Sequence, residues 1–209
     1  MGREARREQL LRSARSVFVS QGYHAASMDD IADSAGVSKP VLYQHFSSKL
    51  ALYKALLEES AAEMVRRVEH AIGSSEDNAV RVEKAVAAYF AFVADKGQAF
   101  RLVFESDLRG ETEIASIVDR ATDACIAAIS DTITADTGTD EASARLLAAG
   151  LVGLSQISAR YWLDQSEQID RSRAVDLLSA LAWRGISHFP RHDASASAGP
   201  RAEGSVTAG

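Results

Sequence analysis

Residues 27–50 read SMDDIADSAGVSKPVLYQHFSSKL, two short helical segments joined at a single glycine. Ser27 has the side chain of a helix N-cap, and Asp29 and Asp30 follow in the first turn, where the positive end of the helix dipole favours carboxylates. Ile31, Ala32 and Ala35 supply an inward face, with Ala32 small enough for another helix to approach closely. Gly36 can take the left-handed conformation that a tight inter-helix turn needs, Val37 plugs the core, and Ser38 is placed to cap the next helix. In that second helix Leu42 and Phe46 lie four residues apart and face inward. Pro40, Val41, Tyr43 and Gln44 are set about 80 to 200 degrees round from them and face outward. Pro40 falls in the first turn, where a backbone N–H has no intrahelical acceptor to lose.

An outward face of proline, valine and an aromatic is poorly suited to water and well suited to a DNA major groove. Gln44 can pair with an adenine edge through two hydrogen bonds, and Pro40 and Val41 can touch thymine methyl groups. Tyr43, His45 and Lys49 are suited to phosphate oxygens, and Lys49 opens a further helix whose N-terminal amides attract anions. The segment is read as a DNA-binding helix-turn-helix; the bland alternative is a helical hairpin with satisfied caps.

On the N-terminal side, Leu10, Leu11, Ala14, Val17 and Phe18 form the stripe of an amphipathic helix ending near Gln21-Gly22. On the C-terminal side, prolines occur only at positions 40, 190 and 200, so none interrupts residues 41–189, and apolar residues recur there at helical spacing. Helices are expected from Ser48 to Ile72, Asp77 to Asp95, Gln98 to Ser106, Glu111 to Ala135, Asp140 to Gln165, and over 172–188. That makes nine in an all-α chain. The expected division is a DNA-binding domain over 1–47, a helical body over 48–189 and a polar, disordered tail over 190–209.

Charge divides in the same place. Residues 1–50 carry seven Lys/Arg against five Asp/Glu, and the rest sixteen against twenty-four, together the net −6 of the chain. DNA contact is therefore expected only at the N-terminal end. Cys125 is the single cysteine, which excludes an internal disulfide and fits a reducing cytoplasm. The N-terminus lacks the apolar core of a signal peptide, and the apolar run Ala87 to Ala94 is too short to cross a bilayer, so a soluble cytoplasmic protein is expected. The five histidines lack metal-ligand spacing, and no HExxH, phosphate loop or nucleophile elbow is present. No cofactor, metal or enzymatic activity is expected; a helical lipid carrier or enzyme is the remote alternative.

The first helix, Gly22-Tyr23 and residues 27–50 together closely resemble the N-terminal domain of the TetR family. That resemblance implies nine helices: a three-helix DNA-binding head and a helical body that dimerises and binds an effector. It assigns base contacts to Lys39, Pro40, Val41 and Gln44, and phosphate contacts to Ser27, Tyr43, His45 and Lys49. Glycine and threonine are commoner in the family where this chain has Pro40 and Val41, so operator identity does not transfer. The stretches GYHAASMDDIADSAGVSKPVLYQHFSSKL, FRLVFESDL, ARYWLD and AWRGISHF resemble a narrower group, the actinobacterial TetR-like regulators of fatty-acid synthase genes, which bind long-chain acyl-CoA. The alternative effector is another hydrophobic small molecule, acting on a repressor of an efflux or catabolic gene.

By the same analogy Tyr89, Phe92, Phe100, Val103, Phe104, Ile117, Ala121 and Cys125 surround the effector, or are plain core. Arg101 and Arg160 are candidates for its phosphates. The alanines at 85, 87, 88, 91 and 94 can leave room for a lipid chain. Leu147, Gly150, Leu151, Leu154, Ile157 and Ser158, with Leu177, Leu178, Leu181 and Trp183, are expected to form a four-helix homodimer interface or else an intramolecular pair. A dimer would set two recognition helices about 34–36 Å apart, one DNA turn, to read a palindromic operator in double-stranded DNA.

Overall fold

The computed structural model describes residues 2–95, 112–165 and 168–185. Among these residues there are eight helices and no strand: α1 (Arg3–Ala25), α2 (Met28–Ala35), α3 (Lys39–His45), α4 (Lys49–Gly73), α5 (Asn78–Asp95), α6 (Thr112–Thr137), α7 (Glu141–Asp164) and α8 (Arg171–Arg184). The helix expected over Gln98 to Ser106 lies outside the described residues, as does the tail. The other boundaries agree with the sequence within a few residues. The exception is α1, which continues to Ala25 across Gly22, where φ is +77° and the backbone leaves helical geometry. The break stands where the sequence places it, but a last turn follows.

The head is α1 to α3. Leu10, Leu11, Ala14, Val17 and Phe18 of α1 are buried against Ile31, Ala32 and Ala35 of α2 and Leu42 of α3. Burying a side chain the size of leucine or phenylalanine stabilises by about 1.5–3 kcal/mol, so this small cluster can hold three helices in a fixed mutual orientation. Gln9 ties the base of α1 to the end of α2 by donating to the Ala35 carbonyl at 2.8 Å.

The 25 residues of α4 run roughly 37 Å at 1.5 Å per residue and belong to both halves of the molecule. The first turns pack on α1, and the remainder packs on α5 and α6. In the body α6 lies along α7, while α8 lies on α5 and α7. One core runs through both halves, from Leu10 to Leu178.

Within the described chain, α7 alone is long and apolar enough to cross a membrane by length and composition. The sequence reading, looking for unbroken apolar runs, did not single it out. Only 28% of its most apolar window is buried, so this helix presents apolar surface outward.

Candidate nucleic-acid interface and ligand cavity

The helix-turn-helix is closed by hydrogen bonds its own sequence supplies. Ser27 Oγ accepts from the Asp30 N–H at 3.0 Å, and the Ser27 N–H donates to Asp30 Oδ2 at 3.0 Å, a reciprocal capping box. The Ser27 hydroxyl also donates to Asp30 Oδ2 at 2.7 Å. These hydrogen bonds hold the Asp30 carboxyl below the usual carboxylate range. At the other end of α2, Gly36 adopts φ +63° and ψ +37°, and the N–H groups of Gly36 and Val37 return to carbonyls of α2. Any residue with a Cβ would be strained there.

Ser38 departs from expectation. It stands at the N-cap of α3 but makes no side-chain cap hydrogen bond, and its carbonyl instead accepts from Val41 and Leu42. Pro40 sits in the first turn, as the sequence requires. Leu42 and Phe46 are buried, Phe46 as the extended residue that ends α3. Lys39, Pro40, Tyr43 and Gln44 are exposed, Tyr43 to 44%. Val41 and His45 are half-buried, so the outward face is narrower than the helical wheel implies.

Besides Ser27, two of the expected DNA contacts are engaged within the protein. Lys39 pairs with Asp29 on α2. Lys49 Nζ donates to the carbonyls of Tyr23 at 2.8 Å, His24 at 3.3 Å and Ala26 at 2.8 Å. An ammonium has three hydrogens and all three have acceptors here, so a phosphate contact by Lys49 would cost one of these bonds. Its sequence position beside the recognition helix suggested phosphate; carbonyls 23 to 26 residues earlier occupy it instead. At the far end of the head, the Arg7 guanidinium lies 4.8 Å from the centre of the Phe46 ring, a contact the sequence reading missed.

The body forms a half-open cavity of about 680 Å³ between α4, α5, α6, α7 and α8, with the exposed Leu146, Leu147 and Trp183 in its lining. Its walls are mainly apolar, among them Val68, Val82, Tyr89, Ile133, Leu151 and Leu154. Ala85 is one of the small residues that leave it open, as the alanine-rich α5 suggested. The polar end holds Asn78, Arg81 and Asp136. There Arg81 donates to Asp136, to the Asn78 side chain and to the Ser75 carbonyl. This cluster was not legible because its residues are up to 61 positions apart in sequence.

Of the residues expected around an effector, Tyr89 lines this cavity. Phe92, Ile117, Ala121 and Cys125 are buried in the core and are not part of its wall. Phe100, Arg101, Val103 and Phe104 lie outside the described residues, and Arg160 is exposed and away from the cavity. Burial pushes the Cys125 thiol up to about 11, and the Tyr89 hydroxyl, hydrogen-bonded to it, is raised as well.

The residues expected at a dimer interface fall partly on the cavity and partly on the surface. Leu151, Leu154, Leu181 and Trp183 line the cavity, and Leu177 is half-buried on α8. Exposed on α7 are Leu147, Gly150 and Ile157, also expected at that interface, together with Leu146 and Tyr161; Leu146, Gly150, Ile157 and Tyr161 form a ridge around the half-buried Gly153, and its Leu146 to Gly150 end lines the cavity as well. Of the six large hydrophobic side chains exposed among the described residues, five belong to α7 or α8, with Ile157 at 71% and Tyr161 at 66%. A Cβ added at Gly150 or Gly153 would meet nothing within 4 Å, so these glycines keep the ridge low without any neighbour inside the chain requiring it.

A capped helix-turn-helix with an exposed reading edge, joined through one long helix to a body with its own cavity, defines a DNA-binding regulator rather than an enzyme. Residues 10–56 match the bacterial regulatory proteins of the tetR family, and residues 79–185 match the tetracyclin repressor-like C-terminal domain. The chain belongs to the TetR family. It is 49% identical over 188 residues to the helix-turn-helix-type transcriptional activator FasR of Mycolicibacterium smegmatis, covering 90% of this chain and 86% of that one. A TetR-like regulator from Rhodococcus superposes with a TM-score of 0.68 at 28% identity, over 90% of this chain and all of the other. The fold is shared with Bacillus subtilis FadR, solved in complex with stearoyl-CoA, at a TM-score of 0.69 and 19% identity, over 86% and 98% of the two chains.

Proposed function

We propose that the protein is a homodimeric, cytoplasmic regulator that reads a palindromic operator through α3 and answers a long-chain acyl ligand, acyl-CoA above all, taken into the body. The observation that carries this reading is the 680 Å³ cavity, apolar along its walls and polar at one end. It lies within the volume range of small-molecule sites, and its shape of chemistry suits an amphiphile. The polar end at Arg81 would hold the head of the ligand and the α7 side its chain. The resemblance to acyl-CoA-responsive regulators of fatty-acid synthase genes points to lipid genes as targets, and the stearoyl-CoA bound by the FadR relative is consistent with it.

Base reading falls to Gln44, Pro40 and Val41, and phosphate contact to Tyr43 and His45, with Ser27 able to contribute only by sharing its capping hydroxyl. The second copy would cover the ridge Leu146, Gly150, Gly153, Ile157 and Tyr161. Native mass spectrometry of the purified protein tests the ligand directly: a retained or added acyl-CoA at one per protomer supports the reading. Binding of a different hydrophobic molecule, with stearoyl-CoA excluded, favours a regulator of an efflux or catabolic gene.

A further inference from the structure

Lys49 is the first residue of α4, and the three carbonyls it holds belong to the turn that follows Gly22 at the end of α1 and to Ala26 just beyond it. Carbonyls at the end of a helical turn lack intrahelical donors, so an ammonium there supplies the hydrogen bonds that they would otherwise be without. The same ammonium lies 4.5 Å from the centre of the Tyr23 ring. Tyr23 in turn stacks on Phe18 at 5.9 Å and meets Tyr53 of α4 edge-on at 4.9 Å. The joint between head and body is thus a cation seated over an aromatic cluster built from α1 and α4. About five to six turns further along the same helix, Val68 and Ile72 form part of the cavity wall.

We propose that Lys49 is the positioning residue through which the cavity controls the head: it fastens the end of α1 to the start of α4, so that any displacement of α4 by a ligand is delivered to α1 and from there to α3. It acts on DNA binding through the orientation of the head, not by touching phosphate. The coupling part of this rests on the cavity being the effector site; the fastening does not.

The test uses the full-length chain, an operator duplex selected from a randomised pool with the unaltered protein, and stearoyl-CoA as probe. Operator affinity is measured across a salt series, with and without stearoyl-CoA, for the unaltered protein, Lys49→Met and Lys49→Arg. Lys49→Met is expected to weaken operator binding with an unchanged slope of log K against log salt. The factor by which stearoyl-CoA alters operator affinity falls to within about twofold of unity, while stearoyl-CoA still binds the body as before. A slope shallower by about 0.9 with that factor intact overturns the proposal and makes Lys49 a phosphate contact.

Lys49→Arg separates the two cases if the methionine variant fails to fold. Arginine keeps the charge for a phosphate but presents a planar fork that cannot replace three convergent ammonium hydrogens. Reduced coupling in the arginine variant supports the latch, and full retention of affinity and coupling refutes it. An unaltered protein whose operator affinity ignores stearoyl-CoA overturns the ligand reading instead. The salt slopes then still decide whether Lys49 fastens the head or contacts phosphate.

Discussion

Lys39 and Asp29 face each other across the turn between α2 and α3, with Nζ 2.8 Å from one carboxylate oxygen and 2.9 Å from the other. The pair joins the first residue of the recognition helix to the first turn of its neighbour, and both side chains are exposed. Hydrogen bonding and charge from Asp29 raise the Lys39 ammonium above its ordinary value. The stabilisation this implies is complete below the ordinary lysine pKa and is lost as pH rises through the raised one, so it is present at neutral pH. For DNA the consequence is opposite in sign, because Asp29 cancels a cation at the reading edge.

Asp29→Asn should therefore tighten binding to any duplex and steepen the dependence of log K on log salt by up to about 0.9, one additional effective cation. Fluorescence anisotropy with a random-sequence duplex over a salt series measures this. An unchanged or shallower slope would mean that Lys39 does not reach the backbone even when released.

Gln44→Ala should relax preference at one base step while leaving other positions as they were, a loss of about 1–3 kcal/mol in discrimination. Selection from a randomised pool with each protein reads it out. Uniform weakening at every position would reject base reading by Gln44.

Ser27→Ala removes the hydroxyl half of the capping box and should cost about 1 kcal/mol in stability, seen as a lower melting temperature. Because the capping hydrogen bonds depress the Asp30 pKa, their stabilisation is complete above the ordinary carboxylate value and is lost as pH falls through the depressed one. The difference in melting temperature between the two proteins should accordingly shrink in acid. A difference that persists unchanged at low pH would show that the cap is not the cause.

Ile157→Arg places a charge on an exposed part of the α7 ridge, away from the cavity wall. Sedimentation equilibrium should find a dimer for the unaltered protein and a monomer for the variant, with helical content retained by circular dichroism. A dimer undisturbed by this change would move the interface elsewhere.

Ala85→Phe adds a ring where a small residue leaves the cavity open. It should abolish stearoyl-CoA binding without unfolding the body, measured by native mass spectrometry and circular dichroism together. Full binding in a folded variant would place the ligand outside this cavity.

The head was legible in the sequence because its determinants are local: Ser27 and Asp30 are three residues apart, and glycines stand at both of its positive-φ positions, Gly22 and Gly36. The body was legible as helices but not as surfaces. Leu151 and Leu154 share a stripe with apolar neighbours on both sides, and only the packing angle of α7 on α6 and α5 decides which side meets the cavity. Tyr89 and Phe92 are three residues apart on α5, yet one lines the cavity and the other is core. Lys49 shows the same limit, since only the fold brings the carbonyls at the end of α1 to its ammonium.

The most direct measurement of the whole account is a pair of titrations on one selected operator: operator affinity with and without saturating stearoyl-CoA, and stearoyl-CoA affinity with and without saturating operator. A ligand-responsive regulator must show the same factor in both, on the order of 5- to 150-fold. Tight binding of each, with neither altering the other, would contradict it.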